Sequence, residues 1–119
     1  MKWPWLADEW RVIGQSYTVR GTTFPDAVDD DESTLGECSN SENRINLAAS
    51  LGDAPALEVW LHEIFHAIEG AAGQDIPHPA IRALSRGLQA VWVDNPEEML
   101  RIAEHMAKRG GGHGTETNG

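Results

Sequence analysis

The chain has 119 residues, 40% of them hydrophobic, which suits one folded domain with a genuine core and excludes a disordered composition. Nine Lys and Arg against nineteen Asp and Glu give a net charge of -10, which argues against a nucleic-acid-binding surface and against docking on anionic membranes. Cys38 is the only cysteine, so neither an intramolecular disulfide nor a Cys-rich metal cluster can form.

Residues 1–9 place Trp3, Trp5 and Leu6 around Pro4, an irregular N-terminal arm without the apolar run of a signal peptide. No stretch approaches the ~20 apolar residues of a membrane span, and the expectation is a cytoplasmic protein. Trp10–Ile13 and Ser16–Val19, joined at Gly14-Gln15, predict a β-hairpin. Between Gly21 and Asn43 there is no Lys or Arg. The run Asp26, Asp29, Asp30, Asp31 and Glu32 reads as a solvated acidic loop, and it does not match the ligand spacing of an EF-hand. Leu35–Cys38 and Arg44–Leu47 flank a polar turn and predict a second hairpin, with Ile45 and Leu47 facing inward.

A helix is expected to start near Asp53, with that side chain as its cap and Pro55 in the first turn. Leu57, Leu61, Ile64 and Ile68 form its apolar stripe, and Gly70 and Gly73 are natural stops. Asp75-Ile76-Pro77-His78-Pro79 is a rigid connector to a second helix, beginning near Pro79, with Ile81, Leu84, Leu88 and Val91 as its stripe. Gly87 either admits another backbone or is simply tolerated. Asn95 with Glu98 resembles a capping box for a third helix bearing Met99, Ile102, Ala103 and Met106. Strands first and helices after predict an α+β domain over residues 1–109, with a small antiparallel sheet of two hairpins packed on the helices and a disordered Gly-rich tail over 110–119.

The chemistry is concentrated in His62-Glu63-Ile64-Phe65-His66, an H-E-x-x-H pattern. Residues four apart share a helix face, so His62 and His66 can aim two imidazoles at one Zn2+. Glu63 stands beside that point and is the candidate general base for a zinc-activated water. A zinc peptidase needs a third ligand, and the candidates are His78, Asp75, Asp94, Glu97 and Glu98. His78 is preferred, because it lies just before the inward-facing Ile81 and at a helix start that disfavours imidazolium. The metzincin extension requires Gly at position 69 and His at 72, where the chain has Glu69 and Ala72. Glu69 and Glu58 are instead placed to support His66 and His62 as hydrogen-bond partners. Cys38 reads as a small core residue. His105 reads as a helix-surface residue, and His113 falls in the tail.

These residues give the chain a resemblance to the small HExxH metallopeptidase-like proteins of bacteriophages and prophages, distant relatives of the ImmA/IrrE-type and minimal gluzincin proteases. The stretches that carry it are Val12–Val19 (VIGQSYTV), Leu35–Leu47 (LGECSNSENRINL), Leu61–Glu69 (LHEIFHAIE) and Leu84–Pro96 (LSRGLQAVWVDNP). The resemblance implies a phage-encoded protein with a small antiparallel sheet packed on the zinc helix and a following helix. It implies His62 and His66 as ligands and Glu63 as base. In that family the third ligand is acidic and falls near the start of the following helix, a place held here by His78.

The leading expectation is a zinc metallopeptidase acting on a protein or extended peptide, such as a host or phage regulatory protein. The strand near Ile45 is expected to offer its edge to that substrate. The alternative is a non-catalytic, zinc-stabilised module whose acidic loop engages a host protein. A third reading, resting on charge alone, is an acidic decoy that competes with DNA for a basic protein.

Overall fold

The computed structural model describes residues 3–24 and 35–111. The expected acidic loop over 26–32 and the tail beyond Gly111 lie outside the described residues. The chain is α+β, and it divides into two compact units, Met1–Gln89 and Ala90–Gly119.

In the first unit, β1 (Glu9–Val12) and β2 (Gln15–Thr22) form the first hairpin. Its turn is Ile13-Gly14, one residue earlier than expected. Both residues have positive φ (48° and 81°), as a two-residue turn that follows the strand twist requires. β3 (Gly36–Ser39) and β4 (Arg44–Ala48) form the second hairpin, with Cys38 opposite Ile45. Ile45 and Leu47 are fully buried, as their alternation predicts.

The two hairpins join differently from the expected all-antiparallel sheet. The order is β1-β2-β4-β3, and β2 pairs with β4 in parallel, Val19 beside Ile45 and Gly21 beside Leu47. A parallel neighbour needs a long connection, and residues 23–43, which include β3, separate the two strands in sequence. Two consequences follow. β4 is a central strand, so the strand of Ile45 has no free edge. β3 becomes the edge strand, and it lies against the first helix.

That helix, α1 (Asp53–Ala72), ends on Gly73 in the left-handed conformation (φ 68°). Asp53 does not cap it: Gly52 holds the N-cap position, and the Asp53 carboxylate accepts a hydrogen bond from Trp5 Nε1 at 3.0 Å. The buried seam of α1 runs through Ala56, Trp60, Glu63 and Ala67; of the expected stripe Leu61 is buried as well, while Leu57, Ile64 and Ile68 are half-buried beside it. The seam thus lies about one residue back from the apolar stripe, roughly 100° around the helix. Apolar periodicity does not find this phase, because the seam holds the charged Glu63 and two small alanines.

Trp60 packs on Trp10, ring centroids 4.6 Å apart, and the arm residue Trp3 is fully buried with its indole N–H donating to Leu51 O at 3.0 Å. α2 (His78–Asp94) anchors through Ile81 and Ser85, both buried, and through half-buried Leu88. The expected stripe positions Leu84 and Val91 are exposed. Ser85 Oγ donates back to Ile81 O at 2.7 Å, so a hydroxyl occupies the buried position where an apolar side chain was expected. No atom stands within 4 Å of a Cβ built at Gly87, which is simply tolerated.

In the second unit, α3 (Pro96–Gly111) continues through Gly110 and Gly111, where the tail was expected to begin. Asn95 does not form the expected box: its side-chain amide donates back to Val91 O at 2.9 Å, closing α2. Leu100, Ile102 and Met106 are exposed.

The arm is therefore part of the core. Trp3→Ala is expected to lower unfolding free energy by roughly 3–5 kcal/mol, the range for emptying a buried aromatic site, and the urea midpoint measures it. A change under about 1 kcal/mol would mean the arm only rests on the surface.

Candidate metal centre

His62, Glu63 and His66 are presented by the middle of α1, and His78 by the first residue of α2. The ring centroids of His62 and His66 are 5.0 Å apart, those of His62 and His78 4.9 Å, and those of His66 and His78 5.4 Å. One nitrogen from each of the three rings lies within 4.8 Å of the others, close enough to hold a metal ion. The Nε2 atoms of His62 and His78 are 3.2 Å apart. Tetrahedral bonds of ~2.0–2.1 Å place two nitrogen ligands about 3.3–3.4 Å apart, so this pair fits a shared ion with little movement. Among the described residues the cluster comprises these three histidines, and Asp75, Asp94, Glu97 and Glu98 are not part of it. His105 is exposed on α3.

The three rings differ in burial. His62 is buried, His66 half-buried and His78 exposed, so the centre opens on the α2 side. They share a cleft of about 270 Å³ with Glu63, Gly36, Cys38 and Asn40. Glu63 is only 5% exposed, and its carboxylate forms part of this wall.

Glu69 supports His66 as expected: its Oε1 lies 2.7 Å from Nδ1. A proton on Nδ1 shared with that carboxylate leaves Nε2 with the lone pair a metal needs. The other carboxylate oxygen accepts the Ile76 N–H at 2.7 Å. This backbone hydrogen bond first, and that of His66 second, hold Glu69 below the usual carboxylate range. Glu58 stands one turn before His62 on the same helix. It accepts a hydrogen bond from Arg86 Nε at 2.9 Å, which ties α1 to α2.

The sequence reading missed the β3 side of the cleft. Gly36, Cys38 and Asn40 follow one another at every second position, the spacing that puts residues on one face of a strand. That signal was present, but nothing in it identified the neighbour. Asn40 Oδ1 accepts the Tyr17 hydroxyl at 2.7 Å and lies 3.5 Å from Cys38 Sγ, and its amide donates to His66 O at 3.3 Å. Cys38 is half-buried: it packs against the edge of the core and also lines the cleft. Burial first, then the Glu63 and Glu69 carboxylates, push its thiol up to about 12. Burial likewise raises the Tyr17 hydroxyl.

β3 approaches α1 with no room to spare. A Cβ at Gly36 would lie 2.5 Å from Val59 Cγ1 and 3.1 Å from Glu63 Oε2. Val59 is β-branched and holds one rotamer in a helix, so it cannot easily give way. Gly36→Ala is expected to cost about 1–3 kcal/mol as an overpacked site, seen as a lower urea midpoint. In the metal-free protein Cys38 should react with iodoacetamide far more slowly at about pH 8 than an unperturbed cysteine, whose pKa is ~8.5. Labelling at the rate of a free thiol would contradict the burial of Sγ. No family model, curated protein or solved structure matches the chain, so a functional reading stands on the chemistry of these residues.

Proposed function

We propose that the chain is a zinc-dependent metallopeptidase in which His62, His66 and His78 hold the ion and Glu63 is the general base. The observation that carries this reading is the convergence of three imidazole nitrogens within 4.8 Å on a cleft whose wall includes Glu63. Zinc on three protein ligands keeps one position open, where it lowers the pKa of a water to ~7 and polarises a carbonyl.

The remaining work falls to the chain. Glu63 accepts the proton of the attacking water on a carboxylate oxygen and later delivers it to the departing amine nitrogen as the C–N bond breaks. Burial of Glu63 keeps bulk water from competing for that proton. Glu69 fixes the tautomer of His66. The exposed side, at His78, is where a chain enters. β3 is the outermost strand among the described residues and lines the same cleft, so an extended peptide can pair with Gly36–Ser39. This suits a protein or peptide substrate, and it moves the docking edge from the strand of Ile45 to its neighbour.

The purified protein should carry about one zinc per chain by elemental analysis, and His62→Ala should lose it. Glu63→Gln should keep the zinc and lower hydrolysis of a mixed fluorogenic peptide library by on the order of 10²–10⁴-fold. A parent protein that binds no zinc overturns the reading. Full activity in Glu63→Gln removes the assigned base.

A further inference from the structure

Glu69 makes more contacts than a partner for one histidine needs. Its side chain joins two places: Oε1 meets His66 Nδ1 and Oε2 meets the Ile76 N–H, both at 2.7 Å. Its backbone carbonyl also receives the Gly73 N–H that caps α1 and the Gln74 N–H at 3.2 Å. The connector from α1 to α2 therefore has three of its N–H groups on one residue. Pro77 has no N–H to offer, and Ile76, preceding a proline, is restricted to extended backbone. Pro77 O then starts α2 by accepting the Ala80 and Ile81 N–H groups. His78 is exposed at the first residue of α2, directly after this connector.

We infer that Glu69 is a positioning residue for two ligands at once, orienting His66 directly and placing His78 through the connector. One carboxylate therefore couples the two halves of the metal centre, which lie on different helices. Each of its oxygens takes a different donor, so a carboxamide, with one oxygen, can replace only one of the two contacts. The inference rests on the metal reading proposed above.

The test uses the whole chain and zinc alone as the probe. Zinc affinity is measured by competition with a chromophoric chelator for the parent, Glu69→Ala, His78→Ala and the double variant, with Glu69→Gln alongside. Glu69→Ala should weaken binding by roughly 10- to 100-fold, the usual range for losing a ligand's hydrogen-bond partner, with Glu69→Gln in between. In the double variant the two losses should be smaller than their product, because His78 can no longer be misplaced once it is gone. The Co2+ form of Glu69→Ala should show a weaker visible absorption band than the parent, as a centre that has lost a ligand. Hydrogen exchange of the Ile76 amide in the metal-free protein gives a readout independent of the ion: slow in the parent, fast in Glu69→Ala. Multiplicative losses in the zinc cycle, or an Ile76 amide equally fast in both proteins, would overturn the inference while leaving a zinc-binding parent intact. A parent without zinc but with a protected Ile76 amide would instead defeat the metal reading and keep only the latch, which overturns the ligand-coupling role.

Discussion

The close passage of β3 over α1 is the constraint on which the rest of the centre depends. At Gly36 the strand comes so near that any side chain would meet Val59 and the Glu63 carboxylate. At the far end of the same contact, a Cβ at Gly70 would lie 2.3 Å from Asn40 Cγ. Absent side chains at these two positions let a strand and a helix approach at backbone range. Asn40 then closes the contact by donating to His66 O and receiving Tyr17, a buried residue of β2. The result is a wall that buries Glu63 and sets β3, the outermost strand among the described residues, beside the histidines. A wider spacing would admit solvent around the carboxylate and separate the edge from the histidines.

The sequence was most legible where local chemistry alone decides the structure. The hairpins, the helix carrying His62 and His66, and the inward faces of Ile45 and Leu47 follow from alternation, turn residues and helical spacing. It was least legible where a distant neighbour decides. The parallel pairing of β2 with β4 depends on the placement of a long connection, and no residue within either strand specifies it. The phase of α1 is offset by about one residue because the charged Glu63 occupies its buried seam, and apolar periodicity discounts it. The same reasoning applies to Ser85, which is buried where a stripe of leucines predicted Leu84. Asp53 and Asn95 were each assigned a capping bond to their own helix, and each found another partner in Trp5 and Val91.

The candidate centre combines parts of different rigidity. His62 and His66 share one helix, so their separation is set by helical geometry and needs no further support. His78 comes from another helix across a proline-bounded connector, which makes it the part that other interactions must place. Sequence reasoning reached His78 through the inward position of Ile81, and Ile81 is indeed fully buried. It did not reach the second hydrogen bond of Glu69, because a link from a helix side chain to a backbone N–H seven residues later has no residue-type signature.

The chemistry of the donor set bears on the ion that the proposed centre would take. The three imidazoles carry no charge in the form that offers lone pairs, whereas Glu63 and Glu69 stand beside them as acids. Their combined field is felt by Cys38, whose thiol is held protonated by burial and by both carboxylates. Hard cations such as calcium and magnesium prefer oxygen donors, while three imidazoles suit a borderline metal. Zinc is such a metal, and in the proposed peptidase the buried Glu63 lines the same cleft as the three histidines.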